Sequence, residues 1–590
     1  MPKRKGSQFP IYVADFETTS EAQYLKEGQT KVYLWEYKDL ENKVCKRGVN
    51  IESFFYELKN ENIPQPKAYK KAIVYFHNLS FDGEFILWYL ERNGYKDVGK
   101  LDYSWNVKKQ CFKNLEKGMY ESIITDTGSI FMITACIDDN LIIEFRCSYK
   151  IFPNSIDDIG KLVGVKKLKE LHNYTEEKHF DSVDEVPQLE WDYLENDVEI
   201  LRRIIEYLNS IGMTNISMAT NSYKYWRKDK YMLVKQHMIR SQDERVNEAV
   251  EKSYRGGITM INKAHQGELI EKAISLDVNS LYPSVMYNND MPIGEGHYFD
   301  SIDECKYPIR LICIYISKVN VIDGLQPFIG ETSGFSFDLS YNYNREIEDK
   351  FIYLWECEYN LFKQVYQGIY AVKCCIGFKK TKNLFKDYID YWMNIKMNSP
   401  KDSAMRQFAK LMLNSLYGKF GMNSLRYSKK CIGIEDGHLI YDIDESQTFY
   451  YYKPIASYIT SLARCVLVKA IISQAHRFIY CDTDSIYLKG WEIPDNIPID
   501  DKKLGYWKFE HYYNHFKGLK AKCYLKDWTE NGIIKYDSSI AGLPKDARNK
   551  ITYENFKDGL KLVGVKKCKK KVKSGIVIGL TDFSIKVKKA

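Results

Sequence analysis

The chain of 590 residues holds 14 cysteines but no C-x-x-C pair, and its one adjacent pair is Cys374-Cys375. Spaced-cysteine zinc sites are therefore excluded. A secretory leader pattern is missing too, and together these absences lead us to expect reduced thiols in a cytosol. No apolar run approaches the ~18 residues needed to cross a bilayer, so no membrane span is expected. Excess charge of one sign is scarce: 86 basic against 78 acidic residues leave +8. That balance permits a polyanionic partner without requiring one. Residues 289–383 carry no chemical motif, only Pro292, Pro308 and Pro327, many aromatics, and mixed strand and helix signals.

The length is too great for one core, and ~150 residues per domain suggests about four units. Hydrophobic residues at 45% and charged residues at 28% fit a globular chain. There are 47 tyrosines, whose flat faces and polar tips serve base stacking and core packing alike.

The densest chemical signal is Tyr480-Cys481-Asp482-Thr483-Asp484-Ser485. Apolar residues flank it (Phe478, Ile479, Ile486, Tyr487), which predicts strand, tight turn, strand. Asp482 and Asp484 sit at i and i+2, on one side of an extended backbone. Neighbouring carboxylates repel, and a hard cation such as Mg²⁺, which binds one or two carboxylates plus substrate phosphates, relieves that cost. An ordinary polar turn would use the same residue types.

Other acids recur at predicted element ends. Ile11, Val13, Asp15 and Glu17 share strand parity, so an apolar face ends in two carboxylates. A second strand, Ala72 to Phe76, leads into His77, Asn78 and then Asp82. Asn78 suits a hydrogen bond to a nucleic-acid end, whereas His77 on its own reads as structural. The helix predicted over Trp191–Ile200 places Tyr193 and Asp197 on one face, where a phenol and a carboxylate can orient a water and hold a metal.

Beyond residue 217 the motifs change. In Tyr254-Arg255-Gly256-Gly257, the glycines allow close backbone approach to phosphate and Arg255 can supply charge; a plain turn is the alternative. Ala273 to Asp277 reads as a strand ending in an acid, followed by a turn into a helix at Pro283. Its free N–H groups could hold a triphosphate, and Tyr282 could stack under a sugar. The helix predicted to end at Gly418 carries Arg406, Lys410, Asn414 and Tyr417 on one stripe, opposite Phe408, Leu411, Met412 and Leu416. Lys566, Lys567, Lys569, Lys570, Lys571 and Lys573 near the C-terminus suit a duplex phosphate backbone, or a solvated charge run.

The ordered set of motifs, with Asp-x-x-Ser-Leu-Tyr-Pro at 277–283 and Lys-Leu-Met-Leu-Asn-Ser-Leu-Tyr-Gly at 410–418, resembles the protein-primed family B DNA polymerases along nearly the whole chain. The resemblance implies an α/β (α+β) architecture: a ribonuclease-H-like 3′–5′ exonuclease domain, then a right-hand polymerase domain of palm, fingers and thumb. Its implied boundaries are 1–217 exonuclease, 218–288 and 453–547 palm, 289–383 first insertion, 384–421 fingers, 422–452 second insertion, and 548–590 thumb. The second insertion would be a hairpin that helps encircle DNA.

The resemblance also implies roles. Asp277, the Val278 carbonyl and Asp484 would hold two Mg²⁺ or Mn²⁺ ions beside Asp482, for nucleotidyl transfer. Asp15, Glu17, Asp82 and Asp197 would hold two more for the exonuclease, with Tyr193 orienting water and Lys169 as auxiliary lysine. Ser280, Leu281, Tyr282, Lys396, Arg406, Lys410, Asn414 and Tyr417 would contact the incoming nucleotide. Thr18, His77, Asn78, Phe81, Phe85, Ser148, Tyr254, Arg255, Gly256, Gly257, Thr483, Lys522 and Tyr524 would contact DNA. Tyr149 stands where the family has leucine, and Arg406 where it has lysine. The implied partners are template and primer DNA, dNTPs and a terminal protein. The implied setting is a monomer in the cytoplasm of an infected bacterium, with processive strand displacement. A nucleic-acid-primed family B polymerase and a non-catalytic DNA-binding relative are the rival readings.

Overall fold

The computed structural model describes residues 9–64, 69–106, 111–114, 116–168, 178–331, 342–423, 425–447 and 450–587. The N-terminal region is built on one mixed sheet. Its strand order is His438–Gln447, Leu425–Glu435, Met119–Thr125, Ile130–Asp138, Leu141–Cys147, Lys70–Phe76, Ile11–Thr18, Val32–Asp39, Cys45–Gly48, with Lys96–Asp97 paired onto Met119–Thr125. Ile11–Thr18 runs parallel to Lys70–Phe76 and antiparallel to Val32–Asp39. It is covered on both faces. Ile11 and Val13 pack into the core shared with Leu194, Val198 and Leu201 of the helix Gln188–Ser210. Tyr12, Ala14 and Phe16 pack into the opposite core with Phe54, Phe85 and Leu87. Strand parity therefore aims Asp15 and Glu17 toward the helix that carries Asp197.

A second sheet of seven strands follows the order Thr259–Ile261, Phe478–Asp482, Ser485–Lys489, Ile270–Val278, Trp507–Lys520, Cys523–Glu530, Ile533–Ile540. Helices pack alongside it. Leu281–Asn288 follows directly on Ile270–Val278, and Lys386–Asn398 lies against Ala404–Phe420. The latter begins at Ser403, whose hydroxyl accepts from the Arg406 N–H as an N-cap. It does not stop at Gly418. It runs on to Phe420, because Lys419 and Phe420 are buried and anchor one more turn.

Lys453–Ser473 corrects the expectation about apolar runs, being long and apolar enough to cross a membrane by length and composition. Ser457, Thr460, Ser461 and Arg464 interrupt the run without lowering its average much, and most of the helix is buried inside the protein. It is a core helix here.

The motif-free segment forms a four-stranded sheet, Met291–Phe299, Tyr366–Thr381, Ile309–Val321, Glu346–Trp355, plus the helix Glu356–Val365. The cysteines whose side chains are described are all free.

Two hairpins reach back to the N-terminal sheet. Leu425–Gln447 extends it through Ser428 and Lys429, opposite Thr125 and Ile124. The C-terminal hairpin Lys561–Ser584 docks on it with the lysines expected to face duplex DNA. Lys571 pairs with the buried Glu84 at 2.6 Å, Lys570 bonds Glu21, and Lys569 reaches Asn78. The hairpins also meet each other: Ser574 N donates to the Gly437 carbonyl at 2.8 Å, and Lys571 lies 4.1 Å over the Tyr441 ring. Lys569 to Lys571 thus have an amide and two carboxylates of the N-terminal region as partners.

Candidate functional site

The hairpin Phe478–Lys489 turns at Thr483 and Asp484, with Thr483 in the left-handed region at φ 60°. Asp482 Oδ1 accepts from Thr259 Oγ1 at 3.0 Å and Thr483 Oγ1 at 3.1 Å, and Lys522 Nζ reaches both carboxylate oxygens at 2.7 and 2.8 Å. Asp277 ends the neighbouring strand, opposite Ser485 on one side and Lys508 on the other. Val278 N donates to the Asp484 carbonyl at 2.8 Å, so the 277–278 strand end and the 482–484 turn are locked together.

Burial and then the charge of Asp484 push Asp277 up to about 7. Burial also raises Asp484, and Asp482 adds to the rise. Two such carboxylates are under-neutralised. Lys410 is a counter-charge felt by both, which places the exposed stripe of the helix Ala404–Phe420 over them. Lys396 donates to Ser280 Oγ at 2.8 Å, and Arg406 caps the Lys396 and Ser399 carbonyls. Ser280 itself holds φ 53°. Tyr282 and Tyr417 stack, with centroids 4.3 Å apart and planes 13° apart. Asn414 is exposed on the same stripe, whereas the Leu281 side chain is buried and leaves only its backbone available. Tyr254 packs against Gly421, and a Cβ on Gly257 would sit 2.9 Å from Thr483 and 3.1 Å from the Tyr282 hydroxyl.

One expected DNA contact is corrected here. Arg255 turns away from the groove: its guanidinium is drawn to the buried Glu358 carboxylate at 3.1 Å. Tyr524 packs in an aromatic cluster with Tyr480, Tyr487 and Phe516, half-buried, with Lys522 alone exposed beside Asp482.

A second carboxylate group lies at the end of Ile11–Thr18. Asp15 is raised well above the usual range by burial and by the charges of Asp82, Asp197 and Glu17 together. Asp82 opens the helix Asp82–Arg92 and is pushed up to about 7, chiefly by burial. Asp197 lies on the inner face of Gln188–Ser210 with Tyr193, both buried. Lys167 pairs with Asp197 at 2.7 Å and lies 5.5 Å over the Tyr193 ring. Lys169, the expected auxiliary lysine, falls outside the described residues.

Around this group, Asn78 adopts φ 65° and Phe81 is half-buried, 5.9 Å from Phe85; Thr18 is half-buried at the strand end. Three further expected contacts are corrected. Phe85 is buried in the core. Ser148 is buried and donates to the Phe76 carbonyl at 3.1 Å, because the polar hydroxyl must be satisfied inside. His77 is held between Ser148 Oγ and the Asn154 carbonyl, each at 2.9 Å, and burial lowers it to about 4. Tyr149 beside it is exposed.

Among the described residues, no three or more His, Cys, Asp or Glu are arranged to hold a metal by themselves. The donor set still fits Mg²⁺, which takes one or two carboxylates and completes its shell with water and substrate phosphate oxygens. Sequence reasoning missed Lys508, Glu358 and Arg464, none of which carries a motif of its own, and set Lys167 beside Lys169 without choosing it. Only the contact partners reveal them.

A strand end and a hairpin turn bearing acids near a basic helix stripe, with a separate carboxylate cluster at the end of an interior strand, fit a nucleotidyl transferase with a nuclease domain. The chain belongs to the DNA polymerase type B family of organelles and viruses, whose pattern matches residues 67–502. It is a DNA-directed DNA polymerase with the exonuclease and palm, fingers and thumb architecture of family B. It is 30% identical to the DNA polymerase of Bacillus phage phi29 over 613 residues, covering 98% of this chain and 99% of that one. The DNA polymerase of Streptococcus phage Cp-1 is 29% identical, with 98% of each chain covered. The solved structure of phi29 DNA polymerase with primer-template DNA and incoming nucleotide matches at TM-score 0.84, with 29% identity, 98% of this chain and 100% of that chain.

Proposed function

We propose that this chain is a protein-primed replicative polymerase with a proofreading 3′–5′ exonuclease, acting on a linear phage genome with strand displacement. The observation that carries it is the coexistence of two under-neutralised carboxylate centres in one chain. The DNA and nucleotides bound in the phi29 structure support template, primer and dNTPs as its ligands.

In polymerisation, the primer 3′-oxygen attacks the α-phosphorus of a dNTP and the bond to pyrophosphate breaks. Lys410, Lys396 and Arg406 neutralise the triphosphate, and the Tyr282–Tyr417 stack supports sugar and base. Lys522 reaches the primer end from beside Asp482. Asp277, the Val278 carbonyl and Asp484 would hold Mg²⁺ or Mn²⁺, which supplies Lewis acidity at the reacting phosphate when bound. In the exonuclease, Asp15, Glu17, Asp82 and Asp197 would hold the same kind of ion, and Tyr193 orients water. The ammonium at Asp197 is that of Lys167. We assign 1–217 to the exonuclease, 218–288 and 453–547 to palm, 289–383 and 422–452 to the two insertions, 384–421 to fingers and 548–590 to thumb. The first insertion is assigned to a priming protein. The meeting of the two hairpins supports an enclosing second insertion, hence processive strand displacement by a monomer. The setting follows as the cytoplasm of an infected bacterium.

The test is extension of a labelled primer on a single-stranded circle with Mg²⁺ and dNTPs alone. Products many times the circle length are expected. Products of one circuit would remove strand displacement, and primer shortening alone would remove the polymerase. Nucleotide attachment to a protein hydroxyl separates protein priming from nucleic-acid priming.

A further inference from the structure

Beneath the Tyr254–Gly257 loop lies a buried cluster of three charges. Glu358, 1% exposed, comes from the helix Glu356–Val365 of the motif-free segment. Its Oε1 accepts from Arg464 Nε at 2.7 Å and its Oε2 from Arg255 at 3.1 Å. Arg464 is 4% exposed and sits in the middle of the core helix Lys453–Ser473. Its NH1 donates to the Arg255 carbonyl at 2.5 Å and to the Gly256 carbonyl at 3.0 Å. Burying one carboxylate between two guanidiniums is costly unless geometry is good, and removing the carboxylate leaves two like charges facing each other.

The loop so held touches the polymerase centre in three places. Gly257 sits against Thr483 and Tyr282, and Tyr254 sits against Gly421 at the end of the fingers helix. The Ile258 carbonyl, the next residue, accepts from Thr483 N at 2.7 Å. One carboxylate from the inserted segment thus governs where the loop stands relative to the turn bearing Asp482 and Asp484.

We infer that Glu358 is a positioning residue for nucleotidyl transfer: it orients Arg464 and Arg255, and through them the Tyr254–Gly257 loop that frames Thr483 and Tyr282. The segment assigned to priming-protein contact therefore also sets the polymerase centre during ordinary elongation. No contact of this cluster reaches Asp15, Asp82 or Asp197, so the exonuclease does not depend on it.

The test compares Glu358→Gln and Glu358→Asp with the parent in primer extension and in degradation of a single-stranded primer, from the same preparation. Failure of the parent itself to extend would sink the polymerase reading rather than this one. Glu358→Gln keeps the shape and removes the charge. The expected result is a dNTP KM raised tenfold or more, a smaller loss of kcat, and degradation within twofold of the parent. Glu358→Asp keeps the charge but shortens its reach, and is expected to fall between the two. Loss of extension and degradation together in Glu358→Gln would assign Glu358 to general folding and overturn the inference. Parental extension kinetics in either variant would overturn it as well.

Discussion

The two carboxylate centres solve the same electrostatic problem with different scaffolds. Asp277 lies at the end of a strand and Asp484 in the hairpin turn beside it, both half-buried, near a helix that brings Lys410. Asp15, Glu17, Asp82 and Asp197 are gathered from a strand end, a helix start and the middle of another helix, two of them nearly fully buried. The first centre keeps its acids open to a large, charged substrate. The N-terminal cluster is more deeply buried at Asp82 and Asp197, with His77 nearby. Burial is what raises the acids in both centres, yet their counter-charges differ in origin. The first draws on the exposed Lys410 of the helix stripe, the second on Lys167, paired with Asp197 at 2.7 Å.

The largest test of this separation is removal of one acid from each centre. Asp484→Ala should lower primer extension by about 10³-fold or more while leaving degradation intact, and Asp82→Ala should do the reverse, as expected for metal-holding carboxylates. Extension surviving Asp484→Ala would break the assignment.

Acid should distinguish the two regions next. His77 titrates near 4 in the folded chain because burial disfavours its charged form. A histidine depressed below its unfolded value of about 6.5 contributes stability that is present above that value and lost as pH falls toward 4, up to about 3 kcal/mol. His77→Gln should therefore lose less stability than the parent between pH 6.5 and 4, read by thermal melts at each pH. An unchanged pH slope would show that His77 is not buried neutral.

A smaller effect is expected from Lys410→Ala, which removes one cation from the stripe. We expect dNTP KM to rise about tenfold with degradation unaffected, in line with one charge-assisted contact to phosphate. The smallest is Gly257→Ala. Its Cβ would meet Thr483 at 2.9 Å, so the loop must shift by tenths of an ångström. A few-fold loss in extension is expected; a parental rate would show that the loop has slack.

Much of this was legible in the order of residues. The strand–turn–strand at 478–489, the strand ending at Asp277 and the helix over Tyr193 and Asp197 all follow from periodicity and turn chemistry. Short-range rules govern them because their hydrogen bonds and side-chain parity are local. The stripe on Ala404–Phe420 was legible for the same reason, apart from its last turn, which packing extends.

Which side chains meet was another matter. Arg255, Ser148 and Phe85 occupy motif positions that suit DNA, yet each is turned inward by a partner distant in the chain: Glu358, Phe76 and the N-terminal core. The basic C-terminal run was read as a duplex contact, and half of it pairs with Glu84, Glu21 and Asn78 instead. The sequence by itself determined the chemical inventory and the local elements, because residue type and spacing set charge, parity and helix face. Only the tertiary structure decided which charges are paired, which are buried and which face a groove, because those depend on contacts between segments tens to hundreds of residues apart.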